Sequence, residues 1–243
     1  MNFTSMLKGC TLWRLISAVS KGSFLILIIT LITHGEAQAA LRLDQSRMVI
    51  SAASGVGLIK VDNPTSHDYL IQSWISGENN AVQEALFVQP PLIKIKAHHK
   101  AALHIEAIDA NIAEQKQEKL YRLNIKEIPK VDDKEAGSKL LLVMLTKIKI
   151  LYRPQAIPAE MGNAYQKLKW TRAGGQLQVV NPTPYYITFN KVWEGNNSTH
   201  PLEADTVAPF STLLIKGYHG ASQINYNIID DYGDNRKTVH VAL

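Results

Sequence analysis

The sequence has one cysteine, Cys10, among its 243 residues, which excludes a disulfide framework and any cysteine-rich zinc site. It has no apolar run of the roughly 18 residues that a membrane-spanning helix needs. Helical periodicity is scarce. The common catalytic signatures are missing too: no G-x-S-x-G elbow, no H-E-x-x-H pair and no phosphate-binding loop. Gly55-Val56-Gly57 is only part of a dinucleotide fingerprint and lies between strand-like runs, where a turn or bulge is the simpler reading. His98, His99 and His104 have no acidic or cysteine partner at ligand spacing, so they read as a solvated strand end, and no metal or other cofactor is expected. Asp132-Asp133-Lys134-Glu135 reads as a solvated loop. Asp230 and Asp231, as neighbours in a strand, would point to opposite faces, which excludes a shared proton. No enzyme is expected.

What is present is a chain that is 46% apolar and 19% charged, enough for a buried core. Lys8, Arg14 and Lys21 precede the short apolar run Phe24 to Ile32. Glu36 and Ala37-Gln38-Ala39 follow, which is the pattern of a secretory signal peptide over residues 1–39. Removing its three cations and one acid lowers the net charge of +5 by two, and that mild balance favours no nucleic-acid partner. Cys10 leaves with the signal, so the exported chain has only its core to hold it together.

Strand patterns fill the remainder. Leu41 to Ile50, Val56 to Val61, Tyr69 to Ile75, Leu86 to Val88, Ala101 to Ile105, Leu120 to Ile125 and Leu140 to Tyr152 are bounded by turn residues such as Asp62-Asn63-Pro64-Thr65. Pro90-Pro91 confines Leu86 to Val88 to an edge or a strand end. The stretch Ile108 to Lys119 can hold a helical turn. After Pro154-Gln155-Ala156-Ile157-Pro158, a stiff link, shorter runs repeat the plan: Leu168 to Trp170, Leu177 to Val180, Tyr185 to Val192, Thr212 to Ile215, Ile224 to Ile229 and Val239 to Val241. The expected fold is all-β: two immunoglobulin-like sandwiches, 40–155 and 156–243, joined at an elbow with an interdomain cleft.

Three cations interrupt apolar strands near that elbow: Arg47, Lys149 and Arg153. They are either ordinary solvent-facing strand residues or, at a domain junction, an anion site made of cations without partners.

In order along the chain, Ala40-Leu41-Arg42-Leu43-Asp44-Gln45-Ser46-Arg47, Leu123-Asn124-Ile125-Lys126-Glu127-Ile128-Pro129, Thr146 to Pro154, Val180 to Thr188 and Asp231-Tyr232-Gly233 stand behind the signal pattern. This resembles the periplasmic chaperones of the chaperone–usher pathway, the PapD/FimC-like family that assembles bacterial pili. The resemblance implies a periplasmic, non-enzymatic chaperone that uses no ATP. Such a chaperone binds pilus subunits by donor-strand complementation, assists their folding, prevents premature polymerisation and delivers them to an outer-membrane usher. It implies that Arg47 and Lys149 hold the subunit's C-terminal carboxylate, and that Glu127, Arg153 and Asp231 form an interdomain salt-bridge set. Leu140, Leu142 and Met144 would be the donor-strand residues, with Leu141, Val143 and Leu145 as the alternative face. Strict alternation sets Lys149 on the face opposite Leu140, Leu142 and Met144, which requires a bulge or a strong twist between them. The short segment Pro129 to Lys139 is similar to the branch serving rod-like pili, and the lack of a second-domain disulfide departs from the family. A self-capping homodimer is a further possibility for the free chaperone. The competing reading of the same pattern is a secreted two-sandwich adhesin or binding module.

Overall fold

The computed structural model describes residues 41–130 and 142–243. The expected signal peptide, Leu140 and Leu141, and most of the segment Pro129 to Lys139 lie outside them. The regular structure of the described chain is strand, apart from two 3-10 turns, Ala110–Ile112 and Ala164–Lys167.

The first sandwich contains β1 (Arg42–Leu43), β2 (Arg47–Ser51), β3 (Val56–Asp62), β4 (Tyr69–Ser76), β5 (Leu86–Gln89), β6 (Leu92–Ile95), β7 (Lys100–Ala107), β8 (Lys119–Pro129) and β9 (Met144–Arg153). One sheet runs β1-β3-β7-β5 and the other β2-β9-β8-β4-β6. The run from Leu41 to Ile50 reads as one strand in the sequence but serves both sheets. β1 pairs antiparallel with β3, whereas β2 pairs parallel with β9. The crossing follows Asp44, which still holds Lys60 of β3: its N–H donates to the Lys60 carbonyl at 3.2 Å and its carboxylate accepts the Lys60 N–H at 3.0 Å. β5 is an edge strand, as the two prolines after it require. Alternate side chains from both sheets meet between them: Ile50, Ile59, Val61, Ile71, Leu103, Leu123, Ile125 and Ile150 are all buried. Each contributes about 1.5–3 kcal/mol by leaving water. Gly55 adopts φ +66° in the tight turn Ser51–Gly55, a backbone form that costs glycine little.

The second sandwich contains β10 (Lys169–Ala173), β11 (Gln176–Val180), β12 (Ile187–Glu194), β13 (Thr206–Val207), β14 (Thr212–Ile215), β15 (Gln223–Ile229) and β16 (Val239–Ala242). Its sheets run β10-β11-β14 and β13-β12-β15-β16. The core is built on Leu177, Val179, Ile187, Val192, Ile224 and Ile228, with the rings of Trp170, Phe189 and Tyr226 stacked 5.2–5.8 Å apart.

Both sandwiches carry the same turn, spelled Asn-Pro-Thr. Asn63 Nδ2 donates to the carbonyls of His67 and Lys96, and Oδ1 accepts both the N–H and the hydroxyl of Thr65. Asn181 repeats this with Tyr185, Ala208 and Thr183. Both asparagines are buried and bonded on both sides of the amide, which satisfies backbone groups at a strand-to-strand corner. Between the sandwiches a small apolar contact joins Leu120 and Leu151 to Tyr186, with Val49 and Ala208 against it.

Candidate functional site

The site is organised by β9. Its C-terminal half, Lys149–Arg153, pairs with β2, but Met144–Ile148 has β8 on one side only among the described residues. Among the described residues its other side leaves a row of backbone donors and acceptors unpaired. A groove of about 530 Å³ borders this edge, lined by Leu41, Leu43, Ser46, Thr146 and Ile148 among others.

At this edge Leu142 is 68% and Met144 53% exposed, and Val143 and Leu145 are exposed as well. Met144 and Leu145 pair with Glu127 and Lys126 of β8, yet their side chains remain largely in water. The β8–β9 register runs from Glu127↔Met144 to Lys119↔Tyr152 without a shift. No bulge separates the apolar tip from Lys149, contrary to one of the two sequence expectations. Met144 therefore shares the face of Ile148 and Ile150, and Lys149 shares the outer face of Leu151 and Arg153.

Arg47 and Lys149 are directly paired across the β2–β9 ladder, so their side chains leave the same face side by side. Neither is without a partner, which corrects the idea of two unpaired cations. Lys149 Nζ lies 2.8 Å from Asp205 Oδ1 and 2.8 Å from Thr206 Oγ1, both on the second sandwich. Arg47 is buried, and its Nη1 donates to the carbonyls of Ile229 at 3.0 Å and Asp230 at 3.2 Å. Burial lowers the Arg47 pKa from its usual value, against the opposing charges of Asp231, Asp230, Asp205 and Glu118. The remaining guanidinium nitrogens make no bond among the described residues. Arg47 lines a cleft of about 610 Å³ that also includes Ser51, Arg153, Asp231 and Tyr232. A guanidinium fixed by neutral carbonyls keeps its full charge and is held ready for an anion.

Below this, the elbow is closed by one arginine. Arg153 Nε and Nη2 reach Glu118 Oε1 at 2.7 and 2.6 Å, and Nη1 and Nη2 reach the Asp231 carboxylate at 2.8 and 2.9 Å. Nη1 also donates to the Ala159 carbonyl, and the guanidinium lies 5.0 Å from the Tyr185 ring centre. Glu118 adds the backbone N–H of Tyr186 at 2.7 Å, so it touches both sandwiches. Burial pushes the Glu118 carboxyl up to about 6, beyond what Arg153 and Tyr186 restore. Burial also disfavours the Asp231 anion, but the hydrogen bonds and charge of Arg153 outweigh it and hold its pKa below the usual value.

Glu127, expected in this lock, has no part in it. In the β8–β9 register Arg153 stands opposite Glu118, just before β8 begins, whereas Glu127 is opposite Met144 at the far end. Nine residues of strand, about 30 Å, separate the two acids. Glu127 is buried, accepting the Leu41 N–H at 3.2 Å and the Thr146 hydroxyl at 3.5 Å, and burial raises its pKa despite both bonds. It ties the start of the described chain to the open edge of β9.

Residues 40–158 match the model of the pili and flagellar-assembly chaperone PapD N-terminal domain, and residues 163–240 that of the pili assembly chaperone PapD C-terminal domain. The chain belongs to the PapD family of pilus-assembly chaperones. The chaperone protein FimC of Escherichia coli O6:H1 is 32% identical over 212 residues, 86% of this chain and 87% of FimC. The solved E. coli chaperone DraB is 27% identical with a TM-score of 0.74, covering 84% of this chain and 98% of DraB. The fold is also that of the Salmonella enterica SafB chaperone, solved with the SafA pilin, with a TM-score of 0.78 at 24% identity over 86% of this chain and 99% of the other.

Within this family member, three site residues escaped the sequence reading. Glu118 sits in the polar run Gln115 to Lys119 and nothing local separates it from its neighbours. Only the β8–β9 register, which spans a long connection, reveals that it faces Arg153. Asp205 and Arg122 are the others: Asp205 reaches Lys149 from the second sandwich, and Arg122 stands opposite it in the β8–β9 register.

Proposed function

We propose that this family member binds pilus subunits by adding the open edge of β9 to an incomplete subunit sandwich, with Arg47 and Lys149 holding the subunit's C-terminal carboxylate. The observation that carries this is the junction of two features on one strand. Met144–Ile148 has one open side and exposed apolar side chains, and five residues beyond Met144 stands Lys149, beside Arg47. Main-chain pairing supplies affinity, alternate side chains supply fit, and two cations fix where the bound chain ends. Leu142 and Met144 fill the subunit's groove on this reading, and Leu140 is the next residue of the alternate set. The lock of Glu118, Arg153 and Asp231 holds the two sandwiches at the angle that shapes the cleft.

Residues 1–39 act as the export signal, the protein works in the periplasm, and it is a binding protein rather than an enzyme. Subunits pass from it to an outer-membrane usher. In the absence of subunit, the open edges of two copies can cap each other as a homodimer.

The test is co-expression with the pilus subunits of its own gene cluster. Arg47→Ala or Lys149→Ala should abolish recovery of soluble subunit while the chaperone accumulates normally, since losing one partner of a desolvated charge pair costs about 2–5 kcal/mol. Undiminished subunit yield would contradict the anchor.

A further inference from the structure

Next to the two proposed anchor cations stands a third. Lys149 is paired with Arg47 across β2–β9 and with Arg122 across β9–β8, so the three side chains leave the sheet in one row. Strands are about 4.8 Å apart, so the three residues stand within about 10 Å of one another along the row. Arg122 Nη1 donates to the carbonyls of Gly77 at 3.0 Å and Glu78 at 2.8 Å, contacts that steer the side chain without neutralising it. The acid of the second sandwich that meets Lys149 is Asp205, bonded to it and 80% exposed. Burial works against the Asp205 anion, but Lys149, the Thr206 hydroxyl and the charge of Arg122 together hold its pKa below the ordinary range.

The free protein thus already has a carboxylate on its anchor lysine. A subunit's terminal carboxylate arriving at Lys149 meets that acid as a like charge. Asp205 must give way, and its exposed side chain leaves it room to turn. A second cation whose charge reaches Asp205 is Arg122, beside Lys149 in the ladder, and its other guanidinium nitrogens make no bond among the described residues. We propose that Arg122 is a positioning residue of the anchor, taking over Asp205 when a subunit carboxylate engages Lys149. With Arg122 present, Asp205 has a second cation to turn to; without it, Lys149 must serve both acids, and each weakens the other's hold. This rests on the proposed role of Lys149 in binding the subunit terminus.

The experiment measures binding of a synthetic strand peptide, alternating valine with threonine, ended either by a free carboxylate or by an amide. The parent should prefer the carboxylate form, and Lys149→Ala should remove that preference. Arg122→Gln should weaken the carboxylate peptide about fivefold, the scale of a partly exposed charge pair, and leave the amide peptide unchanged. Adding Asp205→Asn to Arg122→Gln should restore the lost binding, because no displaced acid then needs a partner. Arg122→Lys, which keeps the charge, should behave as the parent even if loop contacts are disturbed. A double variant as weak as Arg122→Gln alone would overturn the proposal, as would an equal loss for both peptides, the mark of a purely structural arginine. If the parent itself shows no preference for the carboxylate, or Lys149→Ala keeps it, the anchor reading fails, and the proposal with it.

Discussion

At the residue scale the elbow illustrates how much a single buried group depends on its partners. Glu118 is fully buried and shared between Arg153 and the Tyr186 amide. Its pKa of about 6 exceeds that of a carboxyl in the unfolded chain, so the folded state binds the extra proton between roughly pH 4.5 and 6. Its contribution to stability is therefore fully present below about pH 4.5 and lost as pH rises through 6. Over that window it amounts to about 2 kcal/mol. Melting temperatures of the parent and Glu118→Gln, compared from pH 7 down to 4.5, should show the parent gaining relative to the variant. A difference that stays constant with pH would mean that Glu118 titrates as an ordinary carboxyl. The cations were legible in the sequence because each breaks an apolar run: Arg47, Lys149 and Arg153 stand out against Met48, Ile148 and Leu151. Of their acidic partners Asp231 was named through the family resemblance, whereas Glu118 and Asp205 were not, since nothing local sets them apart from neighbouring acids.

At the scale of elements, β9 does two jobs in one strand. Ile148, Ile150 and Tyr152 close the first core, while Met144 and Leu145 at its start stand in water. The sequence shows an apolar run from Leu140 to Tyr152 without showing where the core ends, because burial depends on the strands opposite. Pairing made it visible: β2 covers β9 only from Lys149 onward. The break between β1 and β2 was hidden for the same reason, since strand-forming residues run on from Leu41 to Ile50 and only the ladder reveals the change of sheet. Met144→Glu should cost the free protein little, because the side chain is already half in water. In a subunit groove the same change forfeits about 1.5–3 kcal/mol of burial and adds an unpaired charge. Chaperone abundance and soluble complex, measured together, check this: normal chaperone with little complex is expected. Collapse of the chaperone would instead make Met144 part of its own core.

At the scale of the whole molecule, two sandwiches with the same Asn-Pro-Thr corner are held at one angle by Arg153, its two acids and the apolar contact of Leu120, Leu151 and Tyr186. Arg153→Ala leaves Glu118 buried without its cation, which costs about 3–5 kcal/mol. A lower melting temperature and altered small-angle scattering dimensions are the expected result; an unchanged pair of values would show that the lock is not what sets the angle. The central claim is that the open edge of β9 is the surface a subunit covers. Amide hydrogen exchange with and without bound subunit tests it most directly. Binding should protect amides in Met144–Ile148, which among the described residues pairs on one side only, and change little in β16 at the far edge of the second sandwich. Protection that appears elsewhere and leaves Met144–Ile148 exchanging as fast as in the free protein would contradict it.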